Sequence, residues 1–335
     1  MTEFVRIGGS ELFVSRLGLG TFNFGHEAIG CDEATSAGII RAYLDAGHNY
    51  IDTANIYGGS LAETYVGTAL KGRRDDVVLA TKAGGAYGPG PDERGASRKA
   101  LSRALDDSLR RLQTDYIDLY QMHVYDYETP VEETLTTLND FVRAGKIRYY
   151  GVCNWTAAQI VDAVRLCQIY GWAAPISAQM QYNLLQRDIE VEVIPVCGRF
   201  HLAVLPWSPL AGSLLTGKYR AGQEPPPGGR LAIFPNMLNR LTPKTYEAIE
   251  TVVEEAARLG TSPVALSLGW LMQKPGIVAP LIGPETEQQL FENLEALEVS
   301  LPPDTVARLD AAMPPATVYP QNFGRGSGPP PGSRA

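Results

Sequence analysis

Four ionisable side chains occur in an order that suits carbonyl chemistry: Asp52, Tyr57, Lys82 and His123. A hydride delivered to a carbonyl carbon leaves negative charge on the oxygen, which then needs a proton. A phenol can supply it, but an unperturbed tyrosine, with a pKa of about 10, is a reluctant acid at neutral pH. An ammonium beside it would stabilise the phenolate and lower that pKa, the part Lys82 would take for Tyr57. Asp52 would keep Lys82 charged and in place, and His123 would donate a hydrogen bond that orients the carbonyl. A positioned acid of this kind contributes roughly 10²–10⁴-fold in rate. Taken singly, an Asp–Lys pair is commonly a structural ion pair and a strand-end histidine commonly a satisfied polar residue. The set carries chemistry only if all four converge.

Strand–helix alternation would bring them together. Strand-like runs fall at residues 16–20, 50–53, 77–81, 116–121, 149–152, 176–179, 202–207 and 277–282, eight in all. Helical patterns lie between them. One runs from an N-cap at Asp32 through Ala37, Ile40, Ala42, Tyr43 and Ala46 to Gly47. Another, at 97–112, puts Leu101, Leu105, Leu109 and Leu112 on one face. Others are expected at 130–144, 156–170, 243–259, 262–273 and 286–294. Such alternation implies parallel strands joined by crossover helices, and by itself leaves a barrel and a doubly wound sheet open. The polar residues decide. Asp52 lies near the end of the second run with Tyr57 on its loop, Lys82 ends the third, and His123 follows the fourth. These are C-terminal ends of successive strands, where an α/β-class (β/α)8 TIM barrel keeps its active site.

Runs at 4–7 and 12–14, around Gly8-Gly9-Ser10, predict an N-terminal β-hairpin. Residues 210–241 hold Gly217, Gly222, three prolines at 225–227 and Gly228-Gly229, and predict a long loop after strand 7 that forms a lid or binding wall. The barrel is expected over residues 1–318, and the Pro/Gly-rich stretch 319–335 is expected to be a disordered tail.

With 44% hydrophobic and 20% charged residues, the 335-residue chain can build a sizeable core. Its formal charge of −8 argues against nucleic acid and anionic membrane surfaces as partners. No long apolar run suggests a membrane span, and the N-terminus lacks a basic-then-apolar leader. Cys31, Cys153, Cys167 and Cys197 show no paired spacing and are expected to be free thiols in a reducing cytosol. His26, His48, His123 and His201 form no ligand motif, so no metal site is expected. Oligomeric state is not legible.

The chain resembles the aldo-keto reductases over roughly residues 4–313, in the long-loop bacterial type that is also similar to potassium-channel β-subunits. The resemblance rests on LGLGTFNFG at 17–25, DTANIYG at 52–58, LATK at 79–82, DLYQMH at 118–123, GVCNW at 151–155, QMQYNLLQR at 179–187, PWSPLAGSLLTGKY at 206–219 and ENL at 292–294. It implies NAD(P)H-dependent reduction of an aldehyde or ketone, with Tyr57 as proton donor and Asp52, Lys82 and His123 around it. The alternative, from the channel-subunit likeness, is a cofactor-sensing regulatory subunit with incidental turnover. A barrel enzyme handling phosphorylated substrates without nicotinamide would need a phosphate-gripping glycine loop, and Gly283-Pro284 is too thin for one.

Gly18-Leu19-Gly20 is not followed by the glycine of a dinucleotide fingerprint, so a Rossmann site is excluded. In the resembled family the nicotinamide cofactor instead lies extended across the barrel mouth. That implies Gly20, Thr21 and Asp52 near the nicotinamide ribose, Asn154 and Gln179 on the carboxamide, and Trp207 stacked on the ring. It further implies Ser208, Leu210 and Gly212 along the pyrophosphate with Lys218 as charge partner, and Gly283, Glu285, Gln289 and Asn293 at the adenosine end. Cys153 stands where the family commonly has Ser or Thr. The family default is NADP(H). Glu285 keeps NAD(H) open, because a carboxylate repels a 2′-phosphate but accepts from a bare ribose hydroxyl. The substrate is expected to be a small carbonyl compound. Its pocket would be walled by Phe22, Phe24, Tyr57, His123, Val124, Tyr125 and Trp155, with Phe234 and Met237 from the long loop. No arginine cluster marks an anionic substrate.

Overall fold

The computed structural model describes residues 2–90, 92–224, 226, 229–233, 241–316, 319 and 323. Two short strands open it, β1 (Phe4–Arg6) and β2 (Phe13–Ser15), paired antiparallel with Val5 opposite Val14. There follow β3 (Gly18–Gly20), α1 (Glu33–Asp45), β4 (Tyr50–Asp52), α2 (Leu61–Ala69), β5 (Val78–Ala83), α3 (Arg98–Leu112), β6 (Ile117–Met122) and α4 (Val131–Arg143). Next come β7 (Ile147–Cys153), α5 (Ala157–Tyr170), β8 (Ser177–Gln181), α6 (Val193–Arg199), β9 (Ala203–Trp207) and α7 (Arg230–Ile233). The last elements are α8 (Pro243–Leu259), α9 (Pro263–Met272), β10 (Leu281–Ile282), α10 (Glu287–Leu294) and α11 (Pro303–Ala312).

Among the described residues, β3 to β10 form one eight-stranded sheet in the order β10-β3-β4-β5-β6-β7-β8-β9, with all neighbours parallel. Val204 N donates to Gly276 O and Val278 N to Val204 O, both at 3.0 Å, so β9 closes onto the segment before β10. The fold is the (β/α)8 barrel with an N-terminal hairpin that the alternation implies. No helix among the described residues is long and apolar enough to cross a membrane.

The helices legible in sequence start on side-chain caps, α4 excepted. Thr156 and Gln159 form a capping box on α5, and left-handed Gly171 ends it. Thr242 caps α8, Pro243 opens its first turn and left-handed Gly260 ends it. Four helices escaped the sequence reading, among them the one-turn α7 inside the expected long loop. α2 begins after Gly58, Gly59 and Ser60, all left-handed, with no side-chain cap. α6 carries Pro195 and Gly198 within seven residues, and α11 follows Pro302 with no side-chain cap.

Side chains alternate along each strand, so every second residue faces the barrel interior. Outward residues such as Ile51, Leu79, Tyr120 and Val152 bury against the helices in the main core. Inward residues Tyr50, Ala80, Leu119, Ala203 and Leu205 form a separate apolar cluster with Ile7, Leu12 and Val14 of the hairpin. The hairpin therefore plugs the N-terminal end of the barrel. Its turn passes so close to the sheet that a Cβ on Gly8, at φ +53°, would stand 2.3 Å from Ile176 O. That position requires glycine.

Candidate active site

Two residues further along the same strands, the inward side chains turn polar: Asp52 on β4, Lys82 on β5, Gln121 on β6, Cys153 on β7 and Gln179 on β8. Asp52 and Lys82 are 1% and 0% exposed. Lys82 Nζ donates to Asp52 Oδ1, to Thr53 O at 2.9 Å and to Tyr57 Oη at 3.1 Å. These three acceptors use all the protons of an ammonium. The other Asp52 oxygen accepts from Gln121 Nε2 and Gln179 Nε2, each at 2.9 Å. Tyr57 arrives from the turn after β4. A Cβ on Gly58, at φ +55°, would stand 2.4 Å from Phe24 O, so only glycine lets this turn lie against the β3 loop. Beyond the turn, buried Glu63 ties α2 to β5 through Thr81 Oγ1 at 2.6 Å and to α3 through Arg111 Nε at 2.7 Å.

Electrostatics depart from expectation at Tyr57. Burial pushes its phenol above the ordinary value; the Lys82 charge and hydrogen bond pull it back, and Asp52 pushes it up again. The net direction is upward, not the downward shift expected from Lys82 alone, because a desolvated phenolate costs more than one shared ammonium returns. Burial opposes the Lys82 ammonium more than any single neighbour supports it, yet Asp52, with Tyr57 and Cys153, together hold Lys82 above its usual range. His123 is lowered to about 3 by burial and then by Lys82, so its imidazole is neutral. Its ring meets Tyr57 edge-on at 5.8 Å, and its Nδ1 is buried without a protein partner.

A cleft of about 1090 Å³ opens above this group. It takes in Gly20, Thr21, Asp52, Asn154, Gln179, Trp207, Ser208, Leu210, Gly212, Lys218, Gly283, Glu285, Gln289 and Asn293, every residue expected at a cofactor. Their side chains are partly committed elsewhere. Asn154 donates to His123 O at 3.0 Å and accepts from Trp207 Nε1 at 2.9 Å. Gln179 spends its amide nitrogen on Asp52, and Gln289 Oε1 accepts from Glu285 N at 2.8 Å. After β9, Ser208, Ala211, Gly212 and Ser213 are all left-handed, and Asn183 on the neighbouring loop holds Ser208 O at 2.9 Å. Such strain in non-glycine residues gathers where backbone groups serve a ligand.

Phe22, Tyr57, His123 and Val124 line the cleft. Phe24 and Trp155, expected as pocket walls, do not. They are 0% and 2% exposed and belong to the core, where apolar area is best buried. Tyr125 packs edge-on against Trp155 at 4.8 Å and is likewise absent from the lining. Phe234 and Met237 lie outside the described residues.

Sequence reading missed Gln121, Asn183 and Arg230. The first two stand inside motifs already noted, DLYQMH and QMQYNLLQR. Arg230, from the long loop, lines the cleft, donates to Asn23 Oδ1 at 2.6 Å and pairs with Glu285 Oε1 at 3.2 Å. Nothing local in the sequence ties it to Glu285.

The sequence profile of the Aldo/keto reductase family matches residues 16–314. The chain belongs to the aldo/keto reductase family. It is 37% identical over 326 residues to a Bacillus subtilis protein named as an uncharacterized oxidoreductase, YrpG, covering 93% of this chain and 96% of that one. It is 34% identical over 321 residues to a rice (Oryza sativa subsp. japonica) protein named as a probable voltage-gated potassium channel subunit beta, again covering 93% and 96%. With the aryl-alcohol dehydrogenase [NADP(+)] of Phanerodontia chrysosporium it shares 32% over 344 residues, 95% of this chain and 88% of that one.

Proposed function

We propose that this protein reduces an aldehyde or ketone to an alcohol, with a nicotinamide cofactor held in the large cleft and Tyr57 as the proton donor. The observation that carries the reading is the 3.1 Å contact from a carboxylate-bound, buried ammonium to a phenol at the cleft floor. A bound reduced nicotinamide supplies hydride. The upward shift at Tyr57 keeps its hydroxyl protonated, so it is loaded as a donor. When it gives the proton to the carbonyl oxygen, Lys82 faces the phenolate left behind. Asp52, satisfied by three donors, holds Lys82 charged. His123 is neutral and can carry a proton on a ring nitrogen, so it orients the carbonyl without competing as an acid.

The residues of the cleft suit a dinucleotide. The left-handed run after β9 turns backbone N–H groups into a concavity of the kind that takes phosphate oxygens, and Lys218 lies near it. Asn154, Gln179 and Trp207 offer polar edges and an aromatic face beside Tyr57 for the nicotinamide, with Gly20, Thr21 and Asp52 by its ribose. Gly283, Glu285, Gln289 and Asn293 take the adenosine end. With Glu285 already paired to Arg230, a 2′-phosphate meets a neutralised carboxylate and an arginine, which favours NADP(H) over NAD(H). Four unpaired, buried cysteines support a cytosolic setting.

Tyr57→Phe is expected to cut turnover by about 10²–10⁴-fold with cofactor affinity nearly unchanged. Full activity in that variant removes the donor assignment. The similarity to the rice protein favours a second reading, a cofactor-sensing subunit. Steady-state turnover of a panel of aldehydes separates the two, since a sensor turns over every substrate more slowly than it releases cofactor.

A further inference from the structure

Asp52 is held from both sides, and the side away from Lys82 has had no role so far. Gln121 is 0% exposed and does not reach the cleft. Its Nε2 donates to Asp52 Oδ2 at 2.9 Å, while its Oε1 accepts from Gln179 Nε2 at 3.4 Å and from the Cys153 thiol at 3.8 Å. It joins β6 to β4, β7 and β8 across the barrel axis. A buried carboxylate is held in one orientation by donors that engage both of its oxygens. Lys82 engages Oδ1 and the two glutamines engage Oδ2. If Oδ2 loses a donor, the carboxylate can rotate, and the ammonium it anchors can leave the phenol.

We propose that Gln121 is a positioning residue that fixes Asp52 from below and thereby sets the Lys82–Tyr57 contact. The inference rests on Tyr57 being the proton donor. Ionisable groups around Asp52 and Gln121 are Lys82 on β5, Tyr50 on β4, Tyr57 on the following turn and Cys153 on β7. Burial raises the Tyr50 phenol and the Cys153 thiol, so both stay neutral across the working range.

Two variants test the proposal. Gln121→Leu removes the donor and fills similar space. It is expected to lower kcat about tenfold, equivalent to one unit of proton affinity, with KM for the carbonyl substrate little changed. Gln121→Glu keeps the shape and adds a carboxyl that donates to Asp52 while protonated and opposes it once ionised. Its kcat is expected to fall as that carboxyl ionises, at a pH below the Tyr57 limb of the wild type. A third readout needs no substrate: the tyrosinate absorbance of each variant, after subtraction of its Tyr57→Phe counterpart, should place the Tyr57 titration higher than in the wild type. Thermal unfolding checks that both variants are folded. Wild-type kcat, pH profile and Tyr57 titration in folded variants overturn the role of Gln121. If Tyr57→Phe is fully active, the donor assignment fails instead, and the Tyr57 titration still decides whether Gln121 governs the contact.

Discussion

Tyr50, Ala80, Leu119 and Leu205 point into the barrel two residues before Asp52, Lys82, Gln121 and Trp207 on the same four strands. The lower set packs on the hairpin and is dry. In the upper set Asp52 is the hub of a hydrogen-bonded network that takes in Lys82 and Gln121, and through Lys82 reaches Tyr57. One pleat separates a hydrophobic plug from a proton-transfer site. The lower layer seals the upper one from water below, and desolvation then dominates the behaviour of Tyr57, Lys82 and His123. Both layers should carry stability, and chemistry should reside in the upper one alone.

The largest test strikes the upper layer. Lys82→Met leaves Asp52 a buried charge without its counter-ion and should cost about 3–5 kcal/mol. Turnover should also fall by at least about 10²-fold. Adding Asp52→Asn should recover much of the stability and none of the turnover, as read by urea unfolding and steady-state rates. A stable, active Lys82→Met protein would erase the distinction between the layers.

Leu119→Ala tests the plug. A cavity there should cost about 2–5 kcal/mol in urea unfolding. The kcat of the folded fraction and its pH profile should stay at wild-type values. A changed pH profile would mean the floor tunes the site directly.

His123, at the cleft, makes stability depend on pH. Its folded value, about 3, lies below the ordinary 6.5, so the unfolded chain binds more protons between those values. The stability this contributes is complete above 6.5 and is lost as pH falls toward 3. The urea midpoint should therefore decline from about pH 7 to about pH 5, and His123→Gln should flatten the decline. His48, also lowered by burial, leaves a residual slope. An unaltered slope in the variant would place the titration elsewhere.

The smallest effect belongs to the outer rim. The Arg230–Glu285 pair is partly exposed, so breaking it should cost no more than about 1 kcal/mol. Glu285→Gln should tighten NADPH several-fold and move NADH little, which cofactor fluorescence titration can resolve. Equal shifts for both cofactors would remove Glu285 from the 2′-position.

Much of this molecule was legible in its residues. Asp32 announced its helix because a cap is a local hydrogen bond between near neighbours. Asp52, Lys82 and His123 stood out because strand ends are marked by a change from apolar to polar. α2 stayed hidden because its start is a left-handed turn and its anchor, Glu63, bonds to Thr81 and Arg111, 18 and 48 residues away. Phe24 and Trp155 passed as pocket walls because an aromatic residue next to a motif looks the same whether its ring faces cleft or core.

The chain alone determined the alternation, the plug's apolar face and the order of the four ionisable groups, since period, composition and position are properties of neighbours in sequence. Only the tertiary structure decided that Gln121 and Gln179 share one oxygen of Asp52, that Tyr57 is shifted up rather than down, and that Arg230 meets Glu285. Those outcomes depend on distances between separate elements and on water excluded by all of them together. No periodicity records either.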